Sequence, residues 1–179
     1  MARNNAIKNP GVITARWTSA SLSLLVSVTP RGVCSISLDK DFVPGQTYLW
    51  AGIEPEYADL VTVEPFGAQL AHELDQALSG RLAESKVPWV PTVPPWHREL
   101  YGYVCRLAPG RLTLLPDSLN LDGEYRLERE MVAALRRCPL VPLVPLHRVA
   151  ATEPIAFPWG EGWGSTLLQR EWRHAVSLN

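Results

Sequence analysis

The sequence predicts an α+β fold in which a mainly antiparallel β-sheet is flanked by about three helices. Three observations predict it: the first third reads as short strands, later segments space apolar residues as helices do, and strands do not alternate regularly with helices. The chain has 179 residues, of which 46% are hydrophobic and 20% charged, as expected for one folded domain. We expect a flexible polar arm at residues 1–10 and a single domain over residues 11–179.

The strands are predicted mostly in the first third of the chain. Residues 11–17 are rich in β-branched side chains, and residues 21–28 alternate between apolar and polar. The sequence TPRG at 29–32 favours a turn, so the strand predicted at 33–38 completes a hairpin. Further strands are expected within 43–53 and 58–64.

The middle of the chain predicts one helix followed by a crossover. Apolar residues recur at helical spacing between residues 64 and 82, and Gly80 is placed to end that helix. Four prolines within residues 87–96 forbid a helix there and favour an extended crossover. Residues 100–117 read as two apolar strands joined by a turn at APGR.

Two more helices are predicted in the last third. The first spans about residues 122–138 and ends before Pro139, while the second spans about residues 165–178. In the second we expect a buried stripe that includes Trp172 and Val176. Between them, the proline-rich run at 139–149 is compatible with an edge strand or a polyproline stretch.

Established catalytic and binding motifs are missing. The glycines at 160, 162 and 164 match neither the phosphate-binding loop nor the dinucleotide-binding pattern. HELDQ at 72–76 has glutamine where the metalloprotease motif needs its second histidine. We therefore predict no metal, no cofactor and no catalytic residue.

The cysteines and the hydropathy pattern predict a cytoplasmic protein. Three cysteines stand far apart without a C-x-x-C pair, which favours reduced thiols in the cytoplasm. Apolar runs are too short or too rich in proline to span a membrane.

Tryptophan is the most unusual component of the sequence. The chain has seven tryptophans, and four of them lie in proline- or glycine-rich segments. A rigid aromatic side chain buries a large area at low entropic cost, so these are candidate partner-binding residues, although they equally suit loops packed on a core. The four are Trp89, Trp96, Trp159 and Trp163.

The second candidate surface is a group of arginines. On the helix predicted at 122–138, helical winding places four arginines opposite the apolar stripe, where they could bind phosphates or simply solvate the helix. The four are Arg126, Arg129, Arg136 and Arg137. Because the formal net charge is −1, nucleic-acid binding would depend on such a local patch.

These features support three hypotheses. The leading one is a non-catalytic accessory protein, a small subunit or adaptor that docks a larger protein through its tryptophan- and proline-rich loops. The first alternative is a nucleic-acid or phosphate-ligand binder that uses the arginine-rich surface. The second alternative is a small enzyme with a dispersed acid–base site drawn from His72, His97, Glu99 or His147.

Overall fold

The first half of the fold is a four-stranded sheet. The computed structural model describes residues 11–19, 22–40 and 57–177, so the predicted arm and the strand predicted within 43–53 lie outside the described residues. The strands are β1 (Ile13–Thr18), β2 (Ser23–Thr29), β3 (Gly32–Leu38) and β4 (Ala58–Asp59), in the order β3-β2-β1-β4. β2 pairs antiparallel with both β1 and β3, whereas β4 pairs parallel with β1.

The sheet packs against the helix predicted after it. The alternation in β2 buries Leu24, Val26 and Val28 on one face, as the sequence predicts. After β4, a single 3₁₀ turn over Leu60–Thr62 leads to helix α1 (Gly67–Ser79). Gly80 ends α1 in the left-handed conformation with φ 76°, and a Cβ there would lie 2.5 Å from the backbone of Arg170. The missing side chain of Gly80 therefore lets the backbone at Arg170, in the last helix of the chain, pack directly against the end of α1.

Helix α2 (Pro95–Cys105) replaces the first strand of the predicted hairpin at 100–117, so that prediction is wrong. Pro95 starts the helix, where its missing N–H costs nothing. Leu100, Tyr101 and Val104 are fully buried at helical spacing, where the sequence predicts an apolar strand. The extended crossover stops at Pro94, and Trp89 within it bridges to Val33 of β3.

The helix predicted at 122–138 is correct only in its second half. Residues before it form a hairpin of β6 (Ser118–Leu121) and β7 (Glu124–Leu127), and helix α3 spans Glu128–Leu135. The hairpin turns at Asp122 and Gly123, whose φ angles are 54° and 79°. Asp-Gly is a strong signal for such a turn. The apolar residues that follow it at helical spacing instead favoured one continuous helix from residue 122.

The last segment runs through the core before it forms the final helix. Residues 140–149 are all buried, and they include the start of the short strand β8 (Val149–Ala150), which pairs parallel with β5 (Thr113–Leu114). Helix α4 (Trp163–Ser177) buries Leu167 and Glu171. Trp172 is 58% exposed, so the predicted buried stripe of this helix is wrong by about one residue. The α+β fold with a mainly antiparallel sheet is confirmed, with four α-helices among the described residues.

Candidate nucleic-acid interface

Four arginines predicted to share one helix face instead surround the short helix α3. Arg126 lies in β7, Arg129 lies in the first turn of α3, and Arg136 and Arg137 follow its last turn. Arg129, Arg136 and Arg137 are exposed, and Arg126 is half-buried. We call these four residues the arginine surface.

Two members of the arginine surface are already paired with carboxylates. Arg126 forms ion pairs with Glu124 and, at 4.0 Å, with Glu130. Arg136 donates to Glu153 at 3.1 Å and to the carbonyl oxygen of Pro154 at 2.8 Å. Within the described ranges, Arg129 and Arg137 make no ion pair. Among the described residues, nothing therefore prevents the guanidinium groups of Arg129 and Arg137 from binding an anion.

Helix α3 is firmly attached to the core. Its own residues Met131, Val132 and Leu135 are buried in the core. At its start the Glu128 carboxylate accepts hydrogen bonds from the N–H of Thr152 at 2.6 Å and from its hydroxyl at 2.8 Å. These contacts hold the arginines on a rigid element, which favours specific binding.

The start of α2 lies beside the arginine surface. The Trp96 ring packs edge-to-face with His97, with 4.1 Å between ring centroids, and the Arg126 guanidinium lies 5.0 Å from the Trp96 ring centroid. Such an arrangement permits a cation–π interaction. Trp96 and Arg126, which belonged to two separate candidate surfaces in the sequence, are neighbours in the fold.

A second charged cluster is completely buried. His147 and Arg148, in a 3₁₀ turn over Leu146–Arg148, meet Glu171 of α4, and the three side chains are only 2–3% exposed. Glu171 lies 2.8 Å from His147 Nε2 and accepts hydrogen bonds from Arg148 Nε and Nη2 at 2.8 to 3.1 Å. The N–H of Gly110 donates to the same carboxylate at 2.8 Å. We call these three side chains the buried cluster.

The buried cluster joins distant segments of the chain. Arg148 also donates to the carbonyl oxygens of Leu82 and Leu107, each at 2.9 Å. Burial alone would raise the pKa of Glu171, but hydrogen bonds from His147, Arg148 and the Gly110 N–H lower it to about 2. The adjoining cavity has a volume of about 10 Å³, close to the minimum for one water molecule. The cluster therefore has no space for a substrate in this structure.

Only one member of the buried cluster is predicted from the sequence. His147 is among the candidate acid–base residues, whereas Arg148 and Glu171 are not. The other candidates, His72, His97 and Glu99, lie on α1 and α2, and the structure does not assemble them with His147 into one site. A signal for Glu171 was available, because it lies on the same side of α4 as the buried Leu167, one turn away.

The three cysteines occupy different environments. Burial raises the pKa of Cys105 to about 11 and that of Cys138 to about 12. Cys105 donates to the carbonyl oxygen of Leu143, with 3.7 Å between sulfur and oxygen. Cys34 is half-exposed and lines an open groove of about 980 Å³ together with Arg31 and Arg98. The thiols of Cys105 and Cys138 are therefore protonated at neutral pH.

The four candidate tryptophans are partly or wholly packed on the core. Trp159 is 7% exposed and packs edge-to-face against Phe157 and Trp163, with 5.5 Å between ring centroids in both pairs. Trp89, Trp96 and Trp163 are half-buried against the core. The glycine-rich segment before α4 thus places Trp159 inward.

The sequence predicts no metal site and no membrane-spanning segment. Residues 11–19, 22–40 and 57–177 contain no cluster of three or more histidine, cysteine or acidic side chains arranged to bind a metal. His72 of the HELDQ segment is exposed, while Glu73 is buried and accepts from the N–H of Lys86 at 2.9 Å. No helix in the described part of the chain is long and apolar enough to cross a membrane.

Sequence comparisons give no match. No protein-family model matches the chain. No curated protein matches it either.

Solved structures with the same fold are found. The Mycobacterium tuberculosis O6-methylguanine methyltransferase is 15% identical, with 93% of this chain and 98% of that chain covered at a TM-score of 0.62. A variant of the M. tuberculosis enzyme is 14% identical, with 90% and 93% covered at a TM-score of 0.58. M. tuberculosis OGT in complex with DNA is 13% identical, with 90% and 94% covered at a TM-score of 0.58.

These structures correct the leading hypothesis. The expectation of a non-catalytic adaptor that docks a larger protein through its tryptophan-rich loops is wrong, because the structural neighbours are O6-methylguanine methyltransferases and one was solved with DNA. The nucleic-acid alternative agrees better with them. At 13% to 15% identity, what this chain shares with these enzymes is the fold.

Proposed function

We propose that this protein binds DNA and acts in the repair of alkylated guanine. The observation that carries the proposal is the arginine surface around α3, in a fold that a DNA-bound O6-methylguanine methyltransferase shares. Arg129 and Arg137 supply two guanidinium groups without ion pairs in the described ranges, and Arg126 and Arg136 lie beside them. We propose the cytoplasm as its location, in agreement with three unpaired cysteines.

Electrostatics favour this surface as the point of contact. Arginine binds phosphate oxygens through two parallel hydrogen bonds, and each neutralised phosphate releases counterions. The net charge of −1 provides no general attraction for DNA. Binding should therefore depend on a few local contacts and weaken as salt concentration rises.

Methyl transfer from O6-methylguanine requires a nucleophile that accepts the methyl group. A thiolate is the reactive form of cysteine, and burial keeps Cys105 and Cys138 protonated at neutral pH. The geometry therefore supports recognition of DNA more strongly than uptake of the methyl group by either of these cysteines. The two activities are measured separately.

DNA binding is tested by fluorescence anisotropy with two labelled duplexes of one sequence, one with guanine and one with O6-methylguanine at the centre. We expect binding to both at about 50 mM salt, with tighter binding to the modified duplex and a linear fall of log affinity with log salt. Substituting Arg129→Gln or Arg137→Gln should reduce the salt slope by about 1 each. Arg81→Gln is the control, because Arg81 is exposed after α1 and its Nε donates to Ser79 at 2.9 Å.

The outcomes separate the parts of the proposal. Failure to bind either duplex at low salt would refute it. Equal affinity for the two duplexes would reject recognition of alkylated guanine but keep DNA binding. Intact-mass measurement after incubation with the modified duplex then shows whether a methyl group has been transferred.

A further inference from the structure

The corner formed by α2 and the arginine surface contains two polar atoms that lack partners. His97 Nδ1 and Arg126 Nε are both buried, and neither has a hydrogen-bond partner in the described part of the chain. A buried polar atom without a partner costs roughly 1 to 3 kcal/mol, and such atoms often mark a site for water, an ion or a ligand. Arg126 Nε–H is a donor, and His97 Nδ1 is a donor once the ring is protonated, so protonation of His97 adds a donor to a corner in which Arg126 Nε lacks an acceptor among the described residues.

The charge around His97 is dominated by arginine. Burial lowers the pKa of His97, and the positive charges of Arg137 and Arg126 lower it further. Glu124 and Glu130 lie nearby, but both are engaged with Arg126, and Glu99 accepts from the N–H of Asp122 at 2.7 Å. The other charged and titratable residues of the surrounding elements are Arg98, Glu99, Tyr101, Tyr103 and Cys105 of α2, Asp122, Glu124, Tyr125 and Arg126 of the β6–β7 hairpin, and Glu128, Arg129, Glu130, Arg136, Arg137 and Cys138 of α3 and the residues after it.

We propose that His97, Arg126 and Arg137 form a phosphate-binding corner, and that DNA binding there is coupled to the uptake of one proton by His97. This inference rests on the proposed function. A phosphate group held by the exposed Arg137 guanidinium would offset the two guanidinium charges that oppose protonation of His97. The proton comes from solvent, and no covalent bond changes.

Coupling of this kind has a defined pH dependence. Free His97 is neutral at pH 7 because its pKa is lowered below the ordinary value of 6.5. Bound phosphate raises the pKa of the same ring, so the affinity for DNA increases as pH falls between the bound-state and free-state pKa values. One proton limits the increase to about tenfold per pH unit.

The test measures anisotropy with one unmodified duplex from pH 8.0 to 5.5 at constant ionic strength. Wild-type protein should bind more tightly as pH falls, and His97→Gln should remove most of that dependence. His72→Gln is the matched control, because His72 is exposed on α1 and should leave the pH dependence unchanged. Calorimetry of binding in buffers of different ionisation enthalpy should report uptake of up to one proton by the wild type and less by His97→Gln.

A second variant covers the case in which His97→Gln fails to fold. Arg137→Gln removes one charge that opposes protonation, so the His97 pKa of the free protein, read from its imidazole proton resonances, should rise. A pH dependence that is the same in wild type and His97→Gln, or an unchanged His97 pKa in Arg137→Gln, would overturn the inference while leaving DNA binding intact. Absence of DNA binding at every pH would refute the proposed function instead.

Discussion

The arginine surface and the buried cluster use the same side chains in opposite ways. In the buried cluster, every donor of Arg148 that the structure describes is directed at Glu171 or at backbone carbonyl oxygens of distant segments. On the arginine surface, Arg129 and Arg137 remain without ion pairs in the described ranges. Buried charges must be satisfied within the protein, whereas exposed charges can be kept for a partner. The number of arginines therefore does not identify a binding surface by itself. What distinguishes the two regions is whether the arginines have ion-pair partners within the protein.

The largest expected effect is on the buried side of this comparison. Substituting Glu171→Gln removes the carboxylate that Arg148 faces and leaves the guanidinium buried without its counter-charge. We expect the free energy of unfolding to fall by about 3 to 5 kcal/mol, measured by urea denaturation at pH 7. Glu161→Gln, at an exposed position before α4, is the control and should change stability by less than about 0.5 kcal/mol. A similar small loss in both variants would mean that the cluster does not hold the fold together.

Acid should act on the buried cluster through the same carboxylate. The pKa of Glu171 is lowered from its ordinary 4.5 to about 2, so the ionised form is stabilised in the folded protein. That stabilisation, roughly 3 kcal/mol, is fully present above about pH 5 and is lost as pH falls toward 2. Unfolding in urea at pH 6, 5, 4 and 3 should show a steeper loss for wild type than for Glu171→Gln. Parallel curves would place the acid sensitivity elsewhere.

The contrast also explains which parts of the molecule can be predicted from sequence. β-branched residues predicted β1, alternation predicted β2, the turn at 29–32 placed β3, and helical spacing predicted α1. Such rules failed at α2, whose proline-rich start resembled a crossover, and at Asp122-Gly123, where a two-residue turn interrupts an apolar stripe. These errors are local. The sequence carried the needed signals, but two patterns competed for the same residues.

The buried cluster was harder to predict because its contacts are between residues far apart in the chain. Arg148 and Leu82 are 66 positions apart, and Glu171 and Gly110 are 61 apart. No spacing rule links them. The arginine surface was found because its members lie close together in the sequence, although Arg126 belongs to a strand and not to the helix.

The arginine surface should show the reverse behaviour of the buried cluster. Substituting Arg129→Gln and Arg137→Gln together should change the free energy of unfolding by less than about 1 kcal/mol, since both side chains are exposed. The same double variant should weaken DNA binding, because each lost phosphate contact reduces the number of counterions that binding releases. Urea denaturation and anisotropy on the same preparation compare the two effects directly. A double variant that loses stability as strongly as Glu171→Gln would show that these arginines hold the fold.

The smallest effect concerns the cysteines, and it bears on methyl transfer. Thiol reactivity follows the fraction of thiolate and the exposure of the sulfur. With iodoacetamide at pH 7.5, we expect Cys34 to be labelled first, Cys105 more slowly and Cys138 slowest, because burial raises the pKa of Cys105 to about 11 and of Cys138 to about 12. Peptide mass spectrometry over a time course gives the order, and a parallel incubation with O6-methylguanine DNA locates any methyl group. Rapid modification of Cys138 at neutral pH would mean that the core around it opens readily, and the contrast between a fixed interior and an available surface would then fail at that position.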